Sequence, residues 1–210
     1  MKINEIVTQS FSDIFEKNLL QEIYNYGILK QATSEKIILE IRREISFIPL
    51  IVFGVVKVMR RDGKGNGIFL HYLSEKQYSA IAVTYGLENK ESEIRLVAES
   101  DVTYIAIPIK VVNSWFLKYK SWSVFYNKLN HQQTSYLIQN INDICFTNLE
   151  FRLLKYLEQT RSVKKRKTIL KKHFDIARDL NVSREAISRI LKKLEKEERI
   201  TLGRNKIILN

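Results

Sequence analysis

The apolar positions of this chain change their period along its length. Over residues 1–35 the side chains Ile6, Phe11, Ile14, Phe15, Leu19, Leu20, Ile23 and Tyr24 recur at threes and fours, which predicts helix. From Glu35 the texture shifts to short runs rich in Ile, Val, Tyr and Phe: Lys36–Ile41, Phe47–Arg60, Gly67–Leu73, Ser79–Tyr85 and Ile94–Ile109. Runs of this kind predict five or more strands at short spacing. The stretch Arg61–Gly67 (Arg-Asp-Gly-Lys-Gly-Asn-Gly) reads as a hairpin loop, because Gly and Asn supply the positive φ that such turns need. A phosphate-cradling loop is the poorer reading, since these glycines lead into a strand and not into a helix N-terminus.

After Pro108 the helical period returns and lasts to about Thr160, through Trp115, Phe116, Tyr119, Trp122, Phe125, Tyr126, Leu129, Leu137, Ile141 and Ile144. The stripe Leu129, Gln133, Leu137, Ile141, Ile144 suits either an intramolecular core face or a parallel helix dimer. A further helix, Asn148–Gln159, carries Leu149, Leu153, Leu154 and Leu157, and a basic link, Arg161–Lys167, follows it. The pattern divides the chain into a β-rich part with N-terminal helices (1–112), a long helical region (113–147) and a C-terminal domain (148–210).

Composition narrows the class. A length of 210 residues allows one large domain or two small ones, and 45 % hydrophobic with 28 % charged residues is the balance of a folded protein. Cys145 stands alone, which excludes an internal disulfide, a cysteine-based zinc site and a four-cysteine iron–sulfur cluster, and fits a reducing, cytoplasmic setting. The longest apolar run, Ile45–Val56, is interrupted by Ser46, Pro49 and Gly54 and is too short to cross a bilayer, so it reads as buried strand. The polar, mixed-charge start does not have the pattern of a secretory leader. Charge is unevenly placed: the net of +12 resolves into +1 over residues 1–150 and +11 over 151–210. A compact basic segment points to a polyanionic partner, nucleic acid first and a membrane surface second.

Residues 174–191, FDIARDLNVSREAISRIL, fit a helix-turn-helix. Ala177 is the small residue where two helices cross, and Ile176, Leu180, Val182, Ile187 and Ile190 occupy the apolar places around that crossing. Asn181 tolerates the left-handed turn, and Ser183 sits where an N-cap belongs. A helix begun there presents Arg184, Glu185, Ser188 and Arg189, with Lys192 a turn further on, opposite Ile187 and Ile190. Arg can fork onto guanine and Glu can accept from cytosine, so this face has the chemistry to read a G·C-containing half-site in a major groove. Arg199–Leu202 and Lys206–Leu209 flank Gly203-Arg204-Asn205 as a small wing, with Arg204 and Lys206 placed for phosphates. Lys171, Lys172 and the link residues Lys164, Lys165, Arg166 and Lys167 add to the basic surface.

The segment NVSREAISRILKKLEKEERITLGRNKIIL resembles the winged helix of the Crp/Fnr (catabolite-activator/Fnr) family of bacterial transcription regulators. In that family a Ser-Arg-Glu run followed by Arg opens the recognition helix, and Ser183, Arg184, Glu185 and Arg189 match it. The resemblance implies that Arg184 and Arg189 contact guanines, Glu185 a cytosine and Ser183 a phosphate. It further implies an α+β architecture: an N-terminal antiparallel β-roll of the cyclic-nucleotide-binding, jelly-roll type, a long dimerisation helix and a C-terminal winged helix-turn-helix. Its expected partners are a palindromic double-stranded DNA site, a second copy of the chain, RNA polymerase and an unidentified small-molecule effector.

The sensor half departs from the family's cyclic-AMP binders. Around Tyr78–Leu87 there is no Gly-Glu turn, Glu91-Ser92-Glu93 places carboxylates where a cyclic phosphate wants Arg, and Tyr136-Leu137 lacks the paired hydroxyls used on adenine. Cyclic AMP is therefore not the expected effector; Tyr78, Ser79, Tyr85 and Tyr136 are the candidate lining of a pocket between roll and helix. Haem has only His71, His131 or Cys145 as ligands, and no cofactor or metal is expected. The three widely separated His form no catalytic arrangement, which sets an enzyme aside. The alternatives are a haem-, redox- or gas-sensing regulator of the same family, and a basic module docking on RNA or membrane without sequence preference.

Overall fold

The computed structural model describes residues 3–61, 67–164 and 167–210. Most of the glycine-rich loop (62–66) and Lys165 and Arg166 of the basic link lie outside the described residues. The chain forms two compact units, one of residues 1–59 with 71–137 and one of 60–70 with 138–210, so the division falls inside the long helix and not at its end.

The elements of the first part are α1 (Ile3–Phe11), α2 (Lys17–Tyr26), β1 (Ile28–Ala32), β2 (Ile37–Leu39), β3 (Phe47–Phe53), β4 (Val56–Arg61), β5 (Gly67–Leu73), α3 (Ala80–Leu87), β6 (Arg95–Ala98), β7 (Val102–Pro108), α4 (Ile109–Lys118) and α5 (Lys120–Phe146). The strands form a β-roll of two sheets, ordered β1-β7-β3 and β2-β6-β4-β5. β1 and β3 both run antiparallel to β7, and β2 and β4 both run antiparallel to β6. The apolar run begun at Ile45 supplies β3, where Ile48, Leu50 and Ile51 are fully buried opposite the equally buried Ile105 and Ile107 of β7.

Four elements differ from the periodicity reading. Ile28–Ala32 is a strand paired to β7 and not the end of a helix. The single strand expected over Phe47–Arg60 is two, broken at Gly54, which adopts φ +89° where a Cβ would stand 2.2 Å from the Asp101 carbonyl oxygen. The strand expected over Ile94–Ile109 is likewise divided, into β6 and β7, by Glu99–Asp101. Ser79–Tyr85, expected as strand, is the start of α3, with the Ser79 hydroxyl accepting from the Ala82 amide at 3.3 Å as an N-cap.

Aromatic rings fill the space between the helices of this unit. Trp122 on α5 meets Tyr78 (5.2 Å between ring centroids), Trp115 of α4 (5.1 Å) and Phe15 (5.8 Å), while Phe125 packs edge-on against Phe15 and Tyr78. Such offset and edge-to-face pairs add to the burial of large apolar surfaces. Gln133 closes the cluster: its side chain accepts from the Ala80 amide (2.9 Å) and donates to the Tyr78 carbonyl (2.7 Å), tying α5 to the start of α3.

The second unit contains the end of α5, α6 (Leu149–Lys164), β8 (Thr168–Ile169), α7 (His173–Leu180), α8 (Arg184–Lys196), β9 (Ile200–Gly203) and β10 (Lys206–Leu209). Its three-stranded sheet has the order β8-β10-β9, so the basic link ends in a short strand that the sequence pattern did not suggest. The core joins Leu153, Tyr156 and Leu157 of α6 to Ile176 and Ala177 of α7, Ile187, Leu191 and Leu194 of α8, and Ile200 and Ile207 of the sheet. Phe69 packs against this core, edge-on to Tyr156 at 5.8 Å.

His71 of β5 is 5 % exposed, stacks on Tyr136 at 5.9 Å, and among the described residues has no hydrogen-bond partner for either ring nitrogen. Burial lowers its pKa from 6.5 to about 4. Between those values the unfolded chain takes up a proton that the folded chain refuses, so stability is complete above pH 6.5 and declines as the pH falls towards 4. His71→Phe is expected to remove about 2–3 kcal/mol of that decline, read as the difference between urea unfolding at pH 7 and at about pH 4.5 for the two proteins.

Candidate nucleic-acid interface

The pair α7–α8 is built by its turn. Asn181 takes the left-handed conformation (φ 54°, ψ 52°) at the end of α7, and the Val182 amide donates to the Ala177 carbonyl at 3.0 Å. Asn is one of the few residues that adopts this region at low cost. Ser183 then starts α8, its Oγ accepting from the Ala186 amide at 3.1 Å. Ile176, Ala177 and Leu180 on one helix and Ile187, Leu191 and Leu194 on the other are buried between them and α6. This apolar seam fixes which way the rest of α8 points.

It points Arg184, Glu185, Arg189 and Lys192 outward, all exposed, with Ser188 half-buried among them. The five span one side of the helix opposite Ile187, Leu191 and Leu194. Among the described residues Arg184, Arg189 and Lys192 make no ion pair. Their neighbours do: Lys193 holds Glu150 at 2.6 Å, Arg199 approaches Glu150 at 3.7 Å, and Arg178 pairs with Asp175 at 3.2 Å. The wing is the hairpin β9–β10, with Lys206 opposite Gly203 and with Arg204 and Lys206 exposed. Its tip uses Asn205 (φ 55°), and not Gly203, for positive φ.

Of the flanking cations, Lys172 and Lys167 are exposed, but Lys171 is not. Lys171 is 8 % exposed and donates to the Tyr156 hydroxyl at 2.8 Å, that hydroxyl donates to Asp179 at 2.6 Å, and the lysine lies 3.4 Å from the same carboxylate. It cannot serve as the surface contact expected from sequence. With the cation turned inward, the carboxylate of Asp179 and the phenol of Tyr156 can both be buried.

Sequence reasoning missed His173, which it counted only as an isolated histidine. At the start of α7, its Nδ1 lies 2.9 Å from Ser188 Oγ on α8. Burial, with the nearby positive charges of Arg184 and Lys192, holds its pKa below the usual imidazole value, so the ring is neutral at pH 7. The spacing from His173 to Ser188 spans the whole helix pair, and only the fold reveals that the two meet.

The stripe that suited either a core face or a dimer divides along α5 between buried and exposed positions. Leu129 and Gln133 lie in the core of their own unit, Leu137 is half-buried, and Ile141 and Ile144 are exposed. Further round the helix, and sharing Ile141 with that stripe, runs a set at seven-residue spacing: Val124, His131, Ile138 and Cys145, interleaved with Asn127, Thr134 and Ile141, all exposed. Val124, Ile138 and Ile141 are each more than half exposed.

The four residues assigned to an effector pocket are also rearranged. Tyr78 and Ser79 are fully buried, the first within the aromatic cluster and the second capping α3. Tyr85 on α3 is half-buried, and Tyr136 on α5 is partly exposed and receives a hydrogen bond from Gln132 at 3.1 Å. The backbone groups around Tyr78 that could greet a ligand are taken by Gln133. Of the candidate haem ligands, His71 is enclosed as described, whereas His131 and Cys145 lie exposed on α5.

Lys171→Met is expected to cost about 3–5 kcal/mol, because it takes a buried ammonium away from the Tyr156 hydroxyl and the Asp179 carboxylate, whereas Lys172→Ala changes stability by less than about 0.5 kcal/mol. Chemical denaturation followed by circular dichroism separates the two cases.

No family model and no curated protein matches the chain. Solved structures do. A transcriptional regulator of the Crp/Fnr family from Eubacterium rectale superposes with a TM-score of 0.84 at 20 % identity, over 96 % of this chain and 94 % of that one. The c-di-GMP responsive global regulator CLP of Xanthomonas campestris gives 0.78 at 12 % identity over 92 % and 99 %. A Crp/Fnr-family transcriptional regulator from Thermus thermophilus gives 0.71 at 16 % identity over 87 % and 93 %. The β-roll, the long α5 and the winged helix-turn-helix, in that order along nearly the whole chain, make this the fold of the Crp/Fnr transcriptional regulators.

Proposed function

We propose that the chain is a sequence-specific DNA-binding transcriptional regulator of the Crp/Fnr type, with α8 as its recognition helix, and that it acts as a homodimer on a palindromic site. The observation that carries this reading is the outward side of α8, where Arg184 and Arg189 have no acidic partner among the described residues while Ile187, Leu191 and Leu194 anchor the helix from behind. Arginines held five residues apart on a rigid helix suit bidentate contact with guanine, and Glu185 beside them suits the amino group of cytosine. The Ser183 hydroxyl accepts the cap hydrogen bond and keeps its own hydrogen for a phosphate. Lys172, Arg204 and Lys206 supply further phosphate contacts on either side.

One helix-turn-helix reads few base pairs, and a twofold partner doubles the contacts. The exposed heptad side of α5 suits that partner better than the stripe read from the sequence. Val124, Ile138 and Ile141 would pack across the axis, and Asn127, His131 and Thr134 would be the polar positions that set register at some cost in stability. The fold shared with transcriptional regulators supports a binding role for the chain.

Selection from random duplex DNA with the full-length protein is expected to return a palindrome with G·C steps in each half-site. On that site Arg184→Ala and Arg189→Ala should each lose about 1–3 kcal/mol, with little change on random duplex. Equal losses on both would assign these arginines to phosphate and overturn the base-reading role. Ile138→Asp, or Ile141→Asp, should convert a dimer to a monomer in sedimentation velocity while the fold is retained by circular dichroism. A dimer unaffected by either change would move the interface off this side of α5.

A further inference from the structure

We propose that His173 is a positioning residue for base recognition: through its hydrogen bond to Ser188 it fixes whether that hydroxyl donates or accepts towards DNA, and so which bases the position tolerates. The inference rests on the reading of α8 as the recognition helix and adds to it a residue from α7, outside the helix that enters the groove.

The geometry is specific. His173 Nδ1 and Ser188 Oγ are 2.9 Å apart across the α7–α8 crossing, and Ser188 lies on the outward side between Arg184 one turn before it and Lys192 one turn after it. A serine hydroxyl left to itself rotates, offering one hydrogen and two lone pairs, and it therefore satisfies any base edge. A partner within the protein removes half of that choice. With the imidazole proton on Nε2, Nδ1 accepts the serine hydrogen, and only lone pairs remain, suited to the amino groups of adenine or cytosine. With the proton on Nδ1, the ring donates and the serine keeps its hydrogen for guanine O6 or N7 or for thymine O4. The groups that face the ring are the cations Arg184 and Lys192, which favour the neutral imidazole; the neutral ring has one proton and hence one of these two settings.

The test uses the full-length protein and duplexes derived from its selected site, each with one base pair replaced, and compares wild type with Ser188→Ala, His173→Ala, the double variant and His173→Asn, whose amide keeps a hydrogen-bonding atom near the Nδ1 position. Wild type should discriminate about fivefold to tenfold at one base pair per half-site, beyond those read by Arg184 and Arg189. Ser188→Ala and His173→Ala should each abolish discrimination at that same pair, the double variant should lose no more than either alone, and His173→Asn should restore part of it. The bases preferred by wild type, amino-bearing or carbonyl-bearing, identify the tautomer. His173→Ala that weakens every duplex equally, or leaves the base-pair profile unchanged while Ser188→Ala alters it, overturns the proposal and leaves the reading of α8 intact. A wild-type protein without sequence preference overturns both.

Discussion

Everything the C-terminal unit offers to a partner depends on one close crossing, that of α7 and α8 at Ala177. A methyl side chain there lets Ile187 and Leu191 reach the first helix, and the left-handed Asn181 lets the chain reverse within three residues. Any larger residue at Ala177 would push the helices apart and lose the dispersion and burial of the surrounding Ile and Leu side chains. The orientation of Arg184, Glu185 and Arg189 is therefore a by-product of packing. Their side chains reach outward because the apolar side chains three residues away have nowhere else to go. The same crossing brings His173 to Ser188, so the polar contact at the surface inherits its precision from the apolar seam beneath it.

The long helix α5 shows how one element serves two environments. Its inner side ends in Gln133, whose amide satisfies the Tyr78 carbonyl and the Ala80 amide in a region otherwise filled by rings. Buried amides are tolerated only when their hydrogen bonds are made, and here the donor and the acceptor are both used. The outer side keeps a seven-residue repeat, the period at which a slightly underwound helix holds one side towards a partner over many turns.

The winged helix was legible residue by residue, since small, apolar, turn and capping positions have steric requirements that survive without tertiary information. Ser183, Asn181 and the Arg184–Arg189 side lie where the sequence suggested. The β-roll was legible as texture but not in its joints. Ser79–Tyr85 was misread because Ala80, Ala82 and Val83 are buried on a short helix with little polar side to betray the 3.6 period, although the capping serine was there to be seen. Residues 28–32 were misread because a half-exposed edge strand can carry the same spacing as a helix over five residues. Gly54 is the break that divides the run from Phe47 to Arg60, and a glycine within a β pattern is a recognised sign of a kink. Of the stripe on α5, Leu129 and Gln133 are taken by the core of their own unit, which the spacing alone did not distinguish from a partner-facing side. Lys171 failed because charge in a sequence carries no information on whether a side chain faces water or a buried aspartate.

That last residue alters what the basic composition means. A charge satisfied inside the protein holds no layer of mobile anions, and a charge already matched to a surface carboxylate holds a thinner one. Of the cations in the final sixty residues, Lys171 is enclosed with Asp179, and Lys193, Arg199 and Arg178 lean on acidic neighbours. Counterion release on meeting a polyanion is then governed by the smaller set exposed without an acidic partner among the described residues, such as Arg184, Arg189, Lys192, Arg204 and Lys206. The ionic-strength dependence of such an encounter would be shallower than a count of lysines and arginines suggests.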